Sequence, residues 1–164
     1  YTERIQMYLV AQKISEILTE KGIEVHIAKR ELSIRDEKDN RALEAARLGA
    51  DCYVALHTNA ANGTNTGKTQ GTTCYYNGNN KGSKELSEFI YKEVSELTPT
   101  KDLGNHDDMK PLKPFAEIRL PAMANVLLET EFHDYAPYAN WIVNNVDNIA
   151  KAVADGICSY FDTL

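Results

Sequence analysis

Two short apolar runs constrain this chain most. CYVALH, residues 52–57, and NVLLETEF, residues 125–132, are each flanked by polar or turn-forming segments. CYVALH is short and nearly all apolar, the pattern of a strand buried on both faces of a sheet. NVLLETEF has an apolar start and reads as another strand. Around these runs the apolar spacing is helical. Met7, Val10, Ile14 and Leu18 recur after Thr2, a residue suited to cap a helix, and Gly22 ends that helix beyond Lys21. A second helix is predicted over 36–49. A third is predicted over 83–97, with Leu86, Phe89, Ile90, Val94 and Leu97 inward. A last one is predicted over 137–161, with Trp141, Ile149, Val153 and Ile157 on one face. IEVHIAK, 23–29, alternates like a strand, and TTCYY, 72–76, is another. Residues 99–124 are irregular and proline-containing, with FAEIRL, 115–120, as a short strand.

Strands alternating with helices predict one α/β domain, a mostly parallel or mixed twisted sheet flanked by helices on both faces. A strand usually precedes the first helix in such folds, so a first strand is expected upstream of Tyr1. Residues 1–164 are read as one domain, incomplete at its N-terminus.

Composition excludes several classes of function. Eighteen Lys and Arg stand against 24 Asp and Glu, a net charge of −6, with no basic block. A nucleic-acid phosphate track is not expected. No apolar run approaches the ~20 residues of a membrane span. The three cysteines, Cys52, Cys74 and Cys158, have neither disulfide-framework nor CxxC spacing and read as small hydrophobes.

In an open α/β sheet, ligands bind beyond the carboxyl ends of the strands. Three ionisable residues are predicted there. Glu3, in the first turn of helix one, leads the stripe of Met7, Val10 and Ile14. A carboxylate that only complements the helix dipole does not usually align with the buried face. His57 ends CYVALH just before the polar loop TNAANGTNTGKTQ, a position suited to a metal ligand or an acid–base group. Glu129 follows Val126-Leu127-Leu128. A carboxylate there is costly to bury without a partner and is well placed as a general base. The sequence thus offers an incomplete hydrolytic zinc site, with Glu3 and His57 expected as two of the three protein ligands, Glu129 expected as the base beside the metal's water, and one ligand short. His26, mid-strand, and His106 and His133, in or beside loops, fill the third position poorly.

These residues carry a family resemblance. TERIQMYLVAQKISEILTEKGIEVHIAKR is similar to the Glu-led first helix, glycine, strand and arginine of the zinc-dependent N-acetylmuramoyl-L-alanine amidases, type 3 domain. NRALEAARLGADCYVALHTNAANG resembles their block ending in a histidine-containing HANA-type motif, with HTNA as the diagnostic piece. NVLLETEF resembles their glutamate-bearing strand. The resemblance implies that residues 1–164 are an amidase catalytic domain. It implies that Glu3 and His57 are zinc ligands, with a further histidine upstream of Tyr1, and that Glu129 polarises the water. The implied substrate is the amide between N-acetylmuramic acid and L-alanine in peptidoglycan. The implied setting is the bacterial wall, for a secreted enzyme or a phage lysin. Asn59, in HTNA, is a candidate substrate contact. Glu131 and His133 stand where the family has glycine and an apolar residue or serine. Two alternatives use the same fold: a silent wall-binding module, or a zinc exopeptidase in which Arg119 holds a substrate carboxylate.

Overall fold

The computed structural model describes residues 1–28, 37–61, 63–110 and 113–164. Helix α1 (Glu3–Glu20) buries Met7, Val10, Ile14 and Leu18, the predicted stripe. Thr2 holds the N-cap position through its carbonyl, which accepts the Ile5 and Gln6 N–H groups, and its hydroxyl makes no cap bond. Gly22 lies in the left-handed region at φ 82°, and the Ile23 N–H turns back to the Leu18 carbonyl. That turn satisfies the carbonyls at the helix end. Helix α2 (Glu37–Leu48) follows; Asp36, the predicted start, lies outside the described residues.

The sheet contains β1 (Cys52–Asn59), β2 (Thr73–Tyr76), β3 (Gly104–Asp107) and β4 (Ala124–Phe132), in the order β1-β4-β2-β3. β1 runs parallel to β4, β2 antiparallel to β4, and β3 parallel to β2, so the sheet is mixed. Helix α3 (Lys81–Leu97) and helix α6 (Val146–Phe161) pack with α1 on one face. Their core joins Val126 and Leu128 of β4 and Cys74 of β2. On the opposite face the short helix α4 (Ala116–Arg119) sets Ile118 against Ala55 and Leu127. Helix α5 (Ala136–Asn144) precedes α6.

Several expectations are corrected. Among the described residues β1 is an edge strand, and most of its residues are only half-buried, Ala55 and Thr58 being the buried ones. Residues 23–28 form no strand of the sheet, and Lys29 lies outside the described residues. Ile23 and Val25 pack on the core without entering a ladder, and apolar alternation alone does not supply hydrogen-bond partners. This segment and β1 both line a cleft of about 880 Å³. FAEIRL is the helix α4, because the Phe115 carbonyl accepts the Ile118 and Arg119 N–H groups. The last helix divides at Asn145, whose side chain donates to the Trp141 carbonyl and competes with the helical ladder. β3 was not expected: GNHD carries no apolar residue, and its strand character comes from pairing along β2.

The cysteines are free, and burial pushes the Cys52 thiol up to about 11, which suits inert packing.

Candidate active site

Parallel pairing sets His57 of β1 directly beside Glu129 of β4. Adjacent strands lie about 4.8 Å apart, so the two side chains share one face at the carboxyl ends of both strands. Glu129 is the one residue of β4 that is not fully buried. Helix α1 brings Glu3 to the same point. Its Oε1 lies 3.2 Å from His57 Nδ1 and accepts the Thr58 N–H at 2.9 Å. The three residues expected from the sequence therefore meet.

Sequence reasoning missed the group on the other side of the ring. His57 Nε2 donates to Glu117 Oε2 at 2.9 Å. Glu117, on α4, is 3% exposed. Its Oε1 also accepts from Tyr53 Oη at 2.8 Å and faces Arg41 Nη2 of α2 at 2.9 Å. The signal was weak: Glu117 sits in a short proline-flanked stretch read as a strand. Arg41 lay inside the motif NRALEAAR without an assigned role. Arg119 is exposed at the end of α4, whereas Arg41 pairs with Glu117.

The other candidates have separate roles. His133 Nδ1 bonds the Thr58 hydroxyl at 2.9 Å and the Thr58 carbonyl at 3.0 Å, and its ring stacks on Tyr1. His26 pairs with Glu44, and His106 Nε2 donates to the Leu103 carbonyl. The Asn59 side chain accepts the Ala60 N–H at 2.8 Å, shaping the chain as it leaves β1.

Charge at the site follows from this geometry. Burial works against charging His57, but hydrogen bonds to Glu117 and Glu3 and the charges of Glu117 and Glu129 outweigh it. They push its pKa up to about 9. Burial would raise Glu117, yet the hydrogen bond and charge of His57, with Arg41, bring it down to about 2. Glu3 is lowered by His57 and the Thr58 N–H against its own burial.

A pH dependence of stability follows for the metal-free protein. Glu117 is depressed, so its contribution is present above the ordinary Glu value of about 4.3 and is lost as pH falls towards 2. His57 is raised, so its contribution is present below about 6.5 and is lost as pH rises through 9. Urea midpoints measured in chelator are expected to peak between about pH 5 and 6.5. The alkaline decline should flatten in His57→Gln. An unchanged alkaline slope in that variant would contradict the assignment.

Glu3 and His57 are spaced as two donors of one zinc ion would be. Two donors on one tetrahedral zinc, at bonds of about 2.0–2.2 Å, lie roughly 3.4 Å apart. Glu3 Oε1 and His57 Nδ1 are 3.2 Å apart. Among the described residues no set of three His, Cys, Asp or Glu side chains gathers for a metal.

Fold comparison gives the class first: this is the architecture of amidase catalytic domains. The catalytic domain of CwlV, an N-acetylmuramoyl-L-alanine amidase from Bacillus (Paenibacillus) polymyxa var. colistinus, aligns with a TM-score of 0.84 at 24% identity, covering 100% of this chain and 87% of its own. An N-acetylmuramoyl-L-alanine amidase from Clostridium difficile 630 aligns with a TM-score of 0.85 at 23% identity, covering 99% and 86%. The catalytic domain of the CD27L endolysin, which targets Clostridia difficile, aligns at 0.78 and 21% identity, covering 96% and 83%. The sequence profile described as N-acetylmuramoyl-L-alanine amidase matches residues 1–159, and the chain belongs to that family. No curated protein sequence matches it.

Proposed function

We propose that this domain hydrolyses the amide between N-acetylmuramic acid and the L-alanine of the peptidoglycan stem peptide. The observation that carries this reading is the meeting of Glu3, His57 and Glu129 at the shared ends of β1 and β4, in a chain of the amidase family. Glu3 and His57 are assigned to hold a zinc ion. When bound, zinc lowers the pKa of a water and polarises the scissile carbonyl. Glu129 takes the proton of the attacking water and returns it to the leaving alanine amine. Its position at the open end of an otherwise buried strand supports that role. Asn59, two residues beyond His57, is proposed as a substrate contact. The third donor is proposed to be a further histidine, as the family resemblance implies. This enzyme is expected to act on the bacterial wall, as a secreted hydrolase or a phage lysin. No helix among the described residues is long and apolar enough to cross a membrane.

The test is chemical. Digestion of purified walls by the full-length protein should release stem peptides with a free L-alanine amine, without new reducing sugars. Chelator should abolish release and added zinc restore it. Release of single C-terminal amino acids instead would favour an exopeptidase. Full activity in chelator would remove the metal from the scheme.

A further inference from the structure

We propose that Glu117 is a positioning residue that fixes the orientation of His57, committing Nε2–H to itself and leaving Nδ1 for the metal-facing side. The inference rests on the metal reading of Glu3 and His57 for its functional meaning, but the orientation itself can be tested without metal. The two carboxylates on His57 are not equivalent. Glu3 reaches Nδ1 from the first turn of α1, where the side chain is 36% exposed. Glu117 reaches Nε2 from beneath, where its side chain is 4% exposed. The ring nitrogens point away from each other, so no single ion bound through His57 meets both carboxylates.

Burial decides which carboxylate does which task. A buried carboxylate is costly unless its oxygens are fully engaged. Tyr53, Arg41 and His57 converge on the two oxygens of Glu117 at 2.8, 2.9 and 2.9 Å. These partners come from β1 and α2, so Glu117 is held from two elements before it meets the ring. A carboxylate so engaged has little capacity left to ligate an ion. It can accept the Nε2 proton at a fixed angle, which sets the tautomer and aligns the opposite nitrogen. Glu3 has the complementary character: both carboxylates line the cleft that reaches His57, but the Glu3 side chain is the half-open one.

Glu117→Ala and Glu117→Gln in the full-length protein provide the test. In metal-free wild-type protein, two-bond ¹H–¹⁵N spectra of the imidazoles are expected to show an Nε2 proton on His57 protected from solvent exchange. Glu117→Ala should lose that protection and weaken zinc binding, measured by competition with a chromogenic chelator, by about 10- to 100-fold. Glu117→Gln keeps an acceptor oxygen and should fall between the two, which guards against an alanine variant that does not fold. Retained protection and unchanged zinc affinity in both variants would overturn the proposal. So would zinc-bound spectra showing coordination through Nε2. If wild-type protein binds no zinc but the protection pattern holds, the proposed function fails while the positioning role stands.

Discussion

Glu129→Gln is expected to slow stem-peptide release by roughly 10²–10⁴-fold, the usual contribution of a positioned general acid–base group. The substitution preserves size, so the packing of β4 against β1 should survive. Zinc content should also be unchanged, because the assigned ligands are Glu3 and His57 rather than Glu129. KM should move little, since a proton acceptor acts on the transition state more than on substrate binding. Comparing kcat, KM and bound zinc for wild type and variant separates the possibilities. Near-wild-type kcat would place the base elsewhere. Loss of zinc together with activity would make Glu129 a ligand. The register explains why this residue is exposed to such a test: it lies level with His57, one residue beyond the fully buried Leu128.

The second large effect concerns stability. Glu131 is a non-glycine residue at φ 58°, fully buried, where the pairing of β1 and β4 slips by one residue after His57. A bulge of this kind bends a strand and often borders an active site. The left-handed conformation costs about 1–2 kcal/mol for a residue with a Cβ. The side chain offsets this by knitting two loops to the sheet. It accepts the Gly71 N–H at 3.0 Å, the Phe132 N–H at 3.2 Å and the Thr100 hydroxyl. Gly71 has no room for a side chain, because a Cβ there would lie 1.8 Å from the Lys101 carbonyl oxygen. Burial raises the Glu131 pKa while the two N–H groups oppose the rise. Glu131→Ala keeps the backbone strain, removes all three bonds and leaves buried donors unpaired. A loss of about 3–5 kcal/mol is expected. Glu131→Gly relieves the strain and should recover about 1 kcal/mol of that, still short of wild type. Urea unfolding should therefore rank wild type above glycine above alanine. A glycine variant as stable as wild type would show that the clamp contributes nothing net.

What the sequence disclosed depended on whether a residue's role is local. The stripe of α1, the two apolar strands and the Gly22 stop are all encoded by near neighbours, and they were legible. The positions of Glu3, His57 and Glu129 were legible too, because helix heads and strand ends are recognisable places for polar groups. Glu117 and Arg41 were not, since each is defined by contacts made across the fold from a short helix and a sequence-distant one. β3 was hidden for the converse reason: its residues are polar, and its neighbour makes it a strand. The break at Asn145 depended on one side chain preferring a carbonyl over continued helix. The edge position of β1 could not be read from its apolarity, which looks the same in a central strand.

The parallel pairing of β1 with β4 also has a kinetic meaning. Cys52 meets Ala124 and His57 meets Glu129 only after a loop containing β2, α3, β3 and α4 has closed. Contacts so distant in sequence form late, because chain entropy is lost before they repay it. Glu3 joins them from the opposite end of the chain. The cluster therefore has no local precursor: it comes into being with the global fold, and titration of His57 in refolding protein would mark the completion of folding.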